Sequence, residues 1–299
     1  MPEDLFSDEA EAVVNEYARS LADWAELSMF PRSMRAVAEK LKHRVRPAPL
    51  PAGTRGLMIH APISTMLTAE TESPAAQQRT IAHEIFHPLI GISHNQYRTT
   101  RRMLTPLQAR VEELCEMGAA ELHVPRDEVR RLVDGSPKIC HVPKLSEYFD
   151  ASLAATLSAI VAAAPMDLAG VVFEYRNKPS DMFISNTAQG ALFGIPEDYD
   201  PPKRLRIQSW SVSQALRLRF NIHKHIEEST SIYRAFECLS QTNGVDDLTS
   251  IGLSPGRYRT ESWAHKYQST IRVLTLIWFG PVATIDDAAQ STGPEVVNP

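Results

Sequence analysis

Arg79-Thr80-Ile81-Ala82-His83-Glu84-Ile85-Phe86-His87 is the stretch on which the reading of this chain turns. Two histidines four residues apart stand one turn above each other on an α-helix, so both imidazoles can be directed at one point in space. Such a point suits a zinc ion. Glu84 is too close to His83 in sequence to join the same tetrahedral set comfortably, yet it sits well to take a proton from water activated there. A helix is expected because Ser73-Pro74 supplies a capping residue followed by proline at the first helical position, and Ile85 and Leu89 are available to pack. Pro88 removes a donor that the Glu84 carbonyl would use, so the helix is expected to bend or end near His87.

A catalytic zinc commonly takes three protein ligands and keeps one position open, so a third ligand must come from elsewhere in the chain. Thr105-Pro106-Leu107-Gln108 combines a cap, a first-position proline and a capping-box glutamine ahead of a helix over Leu107–His123. That helix offers Glu112, Glu113 and Glu116. Its apolar stripe contains Leu107, Val111, Leu114, Cys115, Gly118 and Leu122; Glu112 flanks the stripe and Glu113 points nearly opposite it. Glu112 is therefore the expected third ligand beside His83 and His87. His94 is a rival, seven residues past His87 with Gly91 between, but this spacing is one residue too long for an extended metzincin motif, and a loop or substrate-contact role is expected. A two-histidine, one-carboxylate set would also accept manganese.

The two segments just quoted, with Glu112-Glu113-Leu114-Cys115-Glu116-Met117-Gly118-Ala119-Ala120-Glu121-Leu122-His123-Val124-Pro125 as the second, resemble the signature of the ImmA/IrrE family of metallopeptidases. By matching position the resemblance also points to Glu112 as the residue that completes the metal site. It is strongest from about Leu57 to Pro125; Pro88 departs from the usual pattern, and Glu116 stands where an asparagine is expected. What it implies is proteolysis of a helix-turn-helix transcriptional repressor, releasing a stress, DNA-damage or mobile-element response. The order of segments after Pro125 is similar to that of the longer, IrrE-like members, whose last domain resembles a GAF fold.

The chain of 299 residues, with 43% hydrophobic content, can bury more than one core. A formal net charge of -5 gives no global attraction to nucleic acid or an anionic membrane. The apolar runs at Ala151–Ala164 and Ile271–Phe279 are too short to span a bilayer, and Met-Pro-Glu-Asp-Leu-Phe lacks the features of a secretory signal, so a cytoplasmic protein is expected. Three cysteines without CxxC spacing, Cys115, Cys140 and Cys238, read as free thiols, with Cys115 packed and inert.

The expected architecture is α+β: a mainly helical zinc-peptidase domain over residues 1–137 with a small sheet, a helix-turn-helix-like segment over 138–166, a GAF-like α+β domain over 167–281 and a disordered tail over 282–299. An amphipathic helix runs from Ser7-Asp8-Glu9 to about Met29, and a second spans Ser33 to His43 with a basic, solvated face. The run Pro47–Pro51 breaks the chain before short strands at Gly56–His60 and Met66–Thr68. The second helix of the helix-turn-helix outline, from Ser152, has no Arg, Lys, Asn or Gln, so direct DNA reading is not expected of it. Beyond Pro165, strands are expected at Val171–Tyr175, Arg204–Trp210 and Thr270–Phe279, with a helix over Thr230–Thr242. His223 and His225 are expected at the surface; Trp210, Phe220, Trp263, Tyr267 and Trp278 are expected in a core rather than lining a ligand pocket.

The function that these readings support is a zinc endopeptidase with Glu84 as general base. The rival is a non-catalytic, metal-containing regulator or ligand sensor, for which Glu84 would be superfluous.

Overall fold

The computed structural model describes residues 8–59, 63–90, 105–180 and 202–280. Contacts along the chain divide it into two compact units, Met1–Gly135 with His141–Ala163, and Ser136–Cys140 with Ala164–Pro299.

In the first unit α1 (Asp8–Trp24), α2 (Met34–Lys40), α3 (Pro74–Leu89) and α4 (Pro106–His123) surround one core. Local chemistry starts these helices where the sequence says it should. Ser33, Ser73 and Thr105 each accept a hydrogen bond from the backbone N–H three residues on, and Thr105 with Gln108 closes a full capping box; each such cap stabilises its helix by about 1 kcal/mol. α3 continues through Pro88 to Leu89, two residues beyond His87, with Ile90 as its C-cap. Ile81, Ile85 and Phe86 on α3 pack with Val111, Leu114, Cys115 and Leu122 on α4, all 2% exposed or less. Burial of each large apolar side chain in such a core is worth about 1.5–3 kcal/mol.

A three-stranded sheet runs in the order β1-β3-β2, with β1 (Arg44–Ala48) parallel and β2 (Gly56–Ile59) antiparallel to the central β3 (Thr65–Ala69). The expected break over Pro47–Pro51 begins later than its first proline: Pro47 lies within β1, opposite Thr68, and the strand ends at Ala48. Proline is tolerated because β1 is an edge, so its missing N–H leaves no inner ladder bond unmade. After α4, α5 (Arg126–Val133) ends at Asp134 in the left-handed conformation, φ 50°. The helix-turn-helix-like pair α6 (His141–Phe149) and α7 (Leu153–Ala163) packs back on α5 within this unit. Thr156, Leu157, Ala159, Ile160, Val161 and Ala163 of α7 are all buried, so this helix is a packing element.

The second unit is a five-stranded antiparallel sheet in the order β5-β4-β8-β7-β6, formed by β4 (Leu168–Arg176), β5 (Arg204–Val212), β6 (Gln241–Asp247), β7 (Arg257–Tyr267) and β8 (Thr270–Trp278). Helix α8 (Ser231–Cys238) packs on β6, β7 and β8. It is shorter than the expected Thr230–Thr242: Leu239 turns left-handed at φ 47°, and Gln241 already belongs to β6. Both units together make a mixed α+β protein with two small sheets.

Candidate metal centre

The packed pair α3 and α4 builds the site from residues spaced one helical turn apart, His83 and His87 on one helix and Glu112 and Glu116 on the other. The two imidazoles meet edge to face with Nε2 atoms 2.9 Å apart. Glu112 approaches both from α4, with Oε2 3.3 Å from His83 Nε2 and Oε1 3.7 Å from His87 Nε2. Glu84 is 3% exposed, and among the described residues it forms with His83 and His87 a group whose ligand atoms lie within 4.8 Å of one another. Two carboxylates thus converge on one histidine pair. Glu84 is tied to the helix position next to His83, whereas Glu112 comes from a separate helix and reaches both Nε2 atoms. Glu113 points away, its carboxylate paired with Arg110 at 2.8 Å.

Burial makes the electrostatics of this cluster unusual. It pushes the Glu84 carboxyl up to about 7, because the ionised form loses its water; the charge of Glu112 adds to the rise and His83 opposes it. Burial also disfavours the His83 cation, but the hydrogen bond to Glu112 and the charges of Glu116 and Glu84 outweigh it, and the imidazole is raised. Cys115 lies against the same acids, and its thiol is pushed far up, first by burial and then by Glu112, Glu84 and Glu116. A thiol so raised is not a nucleophile. Two imidazole nitrogens and carboxylate oxygens that meet at one spot are a donor set able to hold a divalent metal ion.

Two glycines make room for this arrangement. A side chain at Gly56 on β2 would stand 2.5 Å from Thr80 Cγ2 and 2.8 Å from Glu84 Oε1, so the strand approaches the glutamate as closely as it does only because residue 56 has none. On α4 a Cβ at Gly118 would run into the Phe86 ring. Phe86, within the HExxH stretch, fills that notch and meets Tyr17 of α1 edge to face.

Sequence reasoning did not single out Gly56, Arg79 or a role for Glu116. Arg79 donates to Glu116 Oε2 at 2.7 Å, and Glu116 Oε1 lies 3.6 Å from His83 Nδ1. The signal was present in the helical spacing Arg79-His83 and Glu112-Glu116, but only the packing of two helices joins them. His94 lies outside the described residues. His223 and His225 sit in the second unit beside Arg176 and Arg204, at 3.1 Å and 2.7 Å. Burial, then these arginines, lowers both imidazoles, which disfavours their cationic forms. Phe220 is buried and Trp210 packs against it, as expected of core aromatics, whereas Tyr267 is 38% exposed.

Residues 38–160 match the family model described as the IrrE N-terminal-like domain, Peptidase_M78. Among curated proteins, none matches the sequence. In fold the chain is similar to a solved structure described as a Mycobacterium tuberculosis transcriptional regulator, at 12% identity and a TM-score of 0.55, over 92% of this chain and 80% of that one. At such identity the likeness is one of fold. Among the described residues, no helix is long and apolar enough to cross a membrane.

Proposed function

As a member of the ImmA/IrrE metallopeptidase family through residues 38–160, the chain is a metalloendopeptidase, and we propose that its working ion is zinc, held by His83, His87 and Glu112, and that its substrate is a helix-turn-helix transcriptional repressor. The observation that carries the metal assignment is the convergence of Glu112 on both Nε2 atoms, at 3.3 and 3.7 Å. When bound, zinc supplies Lewis acidity to a scissile carbonyl and to water. The chain's own residues do the rest. The imidazoles and Glu112 would hold the ion, which leaves Glu84 as the base that would take a proton from attacking water and return it to the leaving amine. A nearby cation favours the ionised form of a buried carboxyl, which is the form a base needs, and a carboxyl that rests near neutrality is suited to both halves of the transfer. Manganese would fit the same donors.

The repressor assignment rests on family membership, and the fold likeness to a protein described as a transcriptional regulator is in keeping with it. A cytoplasmic location follows from such a substrate. Cleavage therefore relieves repression of a stress, DNA-damage or mobile-element response. We assign the five-stranded unit, one antiparallel sheet with α8 on it, as the GAF-like part through which a signal reaches the peptidase.

The test is co-incubation of the purified protein with small helix-turn-helix repressors encoded near its gene. Cleavage is expected with zinc, none with chelator, and none with Glu84→Gln even though that variant keeps its zinc. Relief of repression in cells by Glu84→Gln, at the wild-type level, would sink the peptidase reading in favour of a regulator that acts by binding.

A further inference from the structure

Glu112 faces the Nε2 edge of His83; the opposite edge of that ring is also enclosed. Nδ1 of His83 is buried and has no hydrogen-bond partner. The carboxylate next to it is Glu116, one turn along α4 from Glu112, with Oε1 at 3.6 Å. The other oxygen of Glu116 is gripped by Arg79 Nη2 at 2.7 Å, from the residue one turn before His83 on α3. Arg79, Glu116 and His83 thus form a row that alternates between the two helices.

The chemistry of an imidazole ligand gives this row a purpose. A neutral ring that offers the Nε2 lone pair to an ion carries its proton on Nδ1, and that N–H needs an acceptor if it is buried. A carboxylate is the strongest acceptor a protein can place there, and it also makes the ring a better electron donor. Carboxylate rotation is the obvious weakness of such a partner, and the Arg79 guanidinium limits it by holding the far oxygen.

We propose that Glu116, clamped by Arg79, is the positioning residue that fixes His83 in its Nδ1-protonated form and turns Nε2 toward the ion. Glu116 is neither a ligand nor a catalytic residue. The inference rests on the metal reading of His83, so its test must separate the two.

Zinc affinity by competition with a chromophoric chelator, and the tautomer of His83 by nitrogen NMR of the zinc-loaded protein, are measured for Glu116→Leu, Glu116→Gln, Arg79→Met and His83→Ala, alongside kcat and KM. Glu116→Leu is expected to weaken zinc binding roughly 10–100-fold, to leave one zinc per chain at saturation, and to lower kcat more than it raises KM. Glu116→Gln keeps an acceptor oxygen of the same shape and recovers most of the affinity, which a variant that merely misfolds would not explain. Arg79→Met falls between the two. If Glu116→Leu binds zinc within about twofold of the parent with the His83 tautomer unchanged, while His83→Ala loses zinc, the positioning role is refuted and the metal site stands. If His83→Ala itself binds zinc as tightly as the parent, the metal reading fails, and the proposal with it.

Discussion

In the sheet unit, the Asp246 carboxylate is 7% exposed and receives the Ser231 amide at 2.8 Å and the Ser231 and Thr260 hydroxyls at 2.6 Å each. In the helical unit the groups around His83 meet at 2.9 to 3.7 Å, one ring nitrogen has no hydrogen bond, and buried Glu84 is driven up to about 7. Both places bury acids, but only the first answers every hydrogen-bonding demand with protein atoms. A satisfied buried network pins structure, here the start of α8 against β6 and β7. An under-satisfied one costs stability that a cation recovers. The contrast separates a structural acid from a working one more sharply than burial alone.

The largest test of that contrast is Glu84→Gln. Loss of the base is expected to cut peptidase activity about 10²–10⁴-fold. The metal-free protein should become more stable at pH 8, since a carboxyl held near 7 rather than 4.5 costs the ionised fold about 3 kcal/mol. The sign follows from the raised value: the contribution of Glu84 to stability is fully present below 4.5 and is lost as pH rises through about 7. Chelator-treated parent and variant, unfolded in urea at pH 5 and pH 8, should therefore diverge only at the higher pH. Equal stabilities at both would break the comparison.

Asp246→Ala should act the other way. It strands the buried Ser231 N–H and removes the shared acceptor of the Ser231 and Thr260 hydroxyls, and is expected to cost about 1–3 kcal/mol, with metal stoichiometry unchanged. Thermal unfolding and metal analysis of the same sample check both halves. A loss of zinc would mean that the two regions are not as independent as their surroundings suggest.

Smaller again is Gly56→Ala. The new methyl meets Thr80 Cγ2 as well as the end of the Glu84 side chain, so both must shift: the packing of β2 on α3 is loosened and the base is displaced. A displacement of about 1 Å at a reacting group can cost up to roughly 10²-fold in rate. Steady-state kinetics should show the drop in kcat in a protein that still unfolds cooperatively, at a somewhat lower melting temperature. A parent-like kcat would mean that Glu84 has another place from which to work.

The gentlest effect is expected at His123. Burial, opposed by Asp150, lowers this 2%-exposed imidazole, and Arg79 and Arg32 add to the fall. A histidine whose folded value is depressed contributes stability that is complete above its unfolded value of 6.5 and declines as pH falls below it. His123→Gln should flatten the decline below pH 6.5 in urea titrations. An unchanged slope would assign it to another group.

How much of this was legible beforehand follows from the range of the forces involved. The caps at Ser73 and Thr105 and the turn-by-turn spacing of His83 and His87 are local, and α3 and α4 begin where the sequence places them. The apolar stripe of α4 distinguished Glu112 from Glu113, and the structure turns the former toward the imidazoles and the latter toward Arg110. What depends on distant partners was not legible. β1 contains Pro47 and looks like a break until its edge position is known. β6, Gln241-Thr242-Asn243-Gly244-Val245-Asp246-Asp247, has hardly an apolar residue and becomes a strand by pairing with β7. Gly56 at Glu84, and Arg79 with Glu116, meet only through packing.

The five residues Ser136–Cys140 belong to the sheet unit, although the chain returns to the helical unit at His141 and stays until Ala163. Within the sheet unit the Ile139 amide donates to buried Glu261 at 3.1 Å, and Arg259 holds the other oxygen of that carboxylate at 2.8 Å. The polypeptide therefore passes between the units three times, as a thread does in a stitch. No single cut of the chain separates the two units. A chain ended at Ala164 keeps Ser136–Cys140 but loses the sheet that receives them, and the Ile139 amide is left without Glu261. Evolution of this protein by recombination would have to carry the stitch along with whichever half it moved.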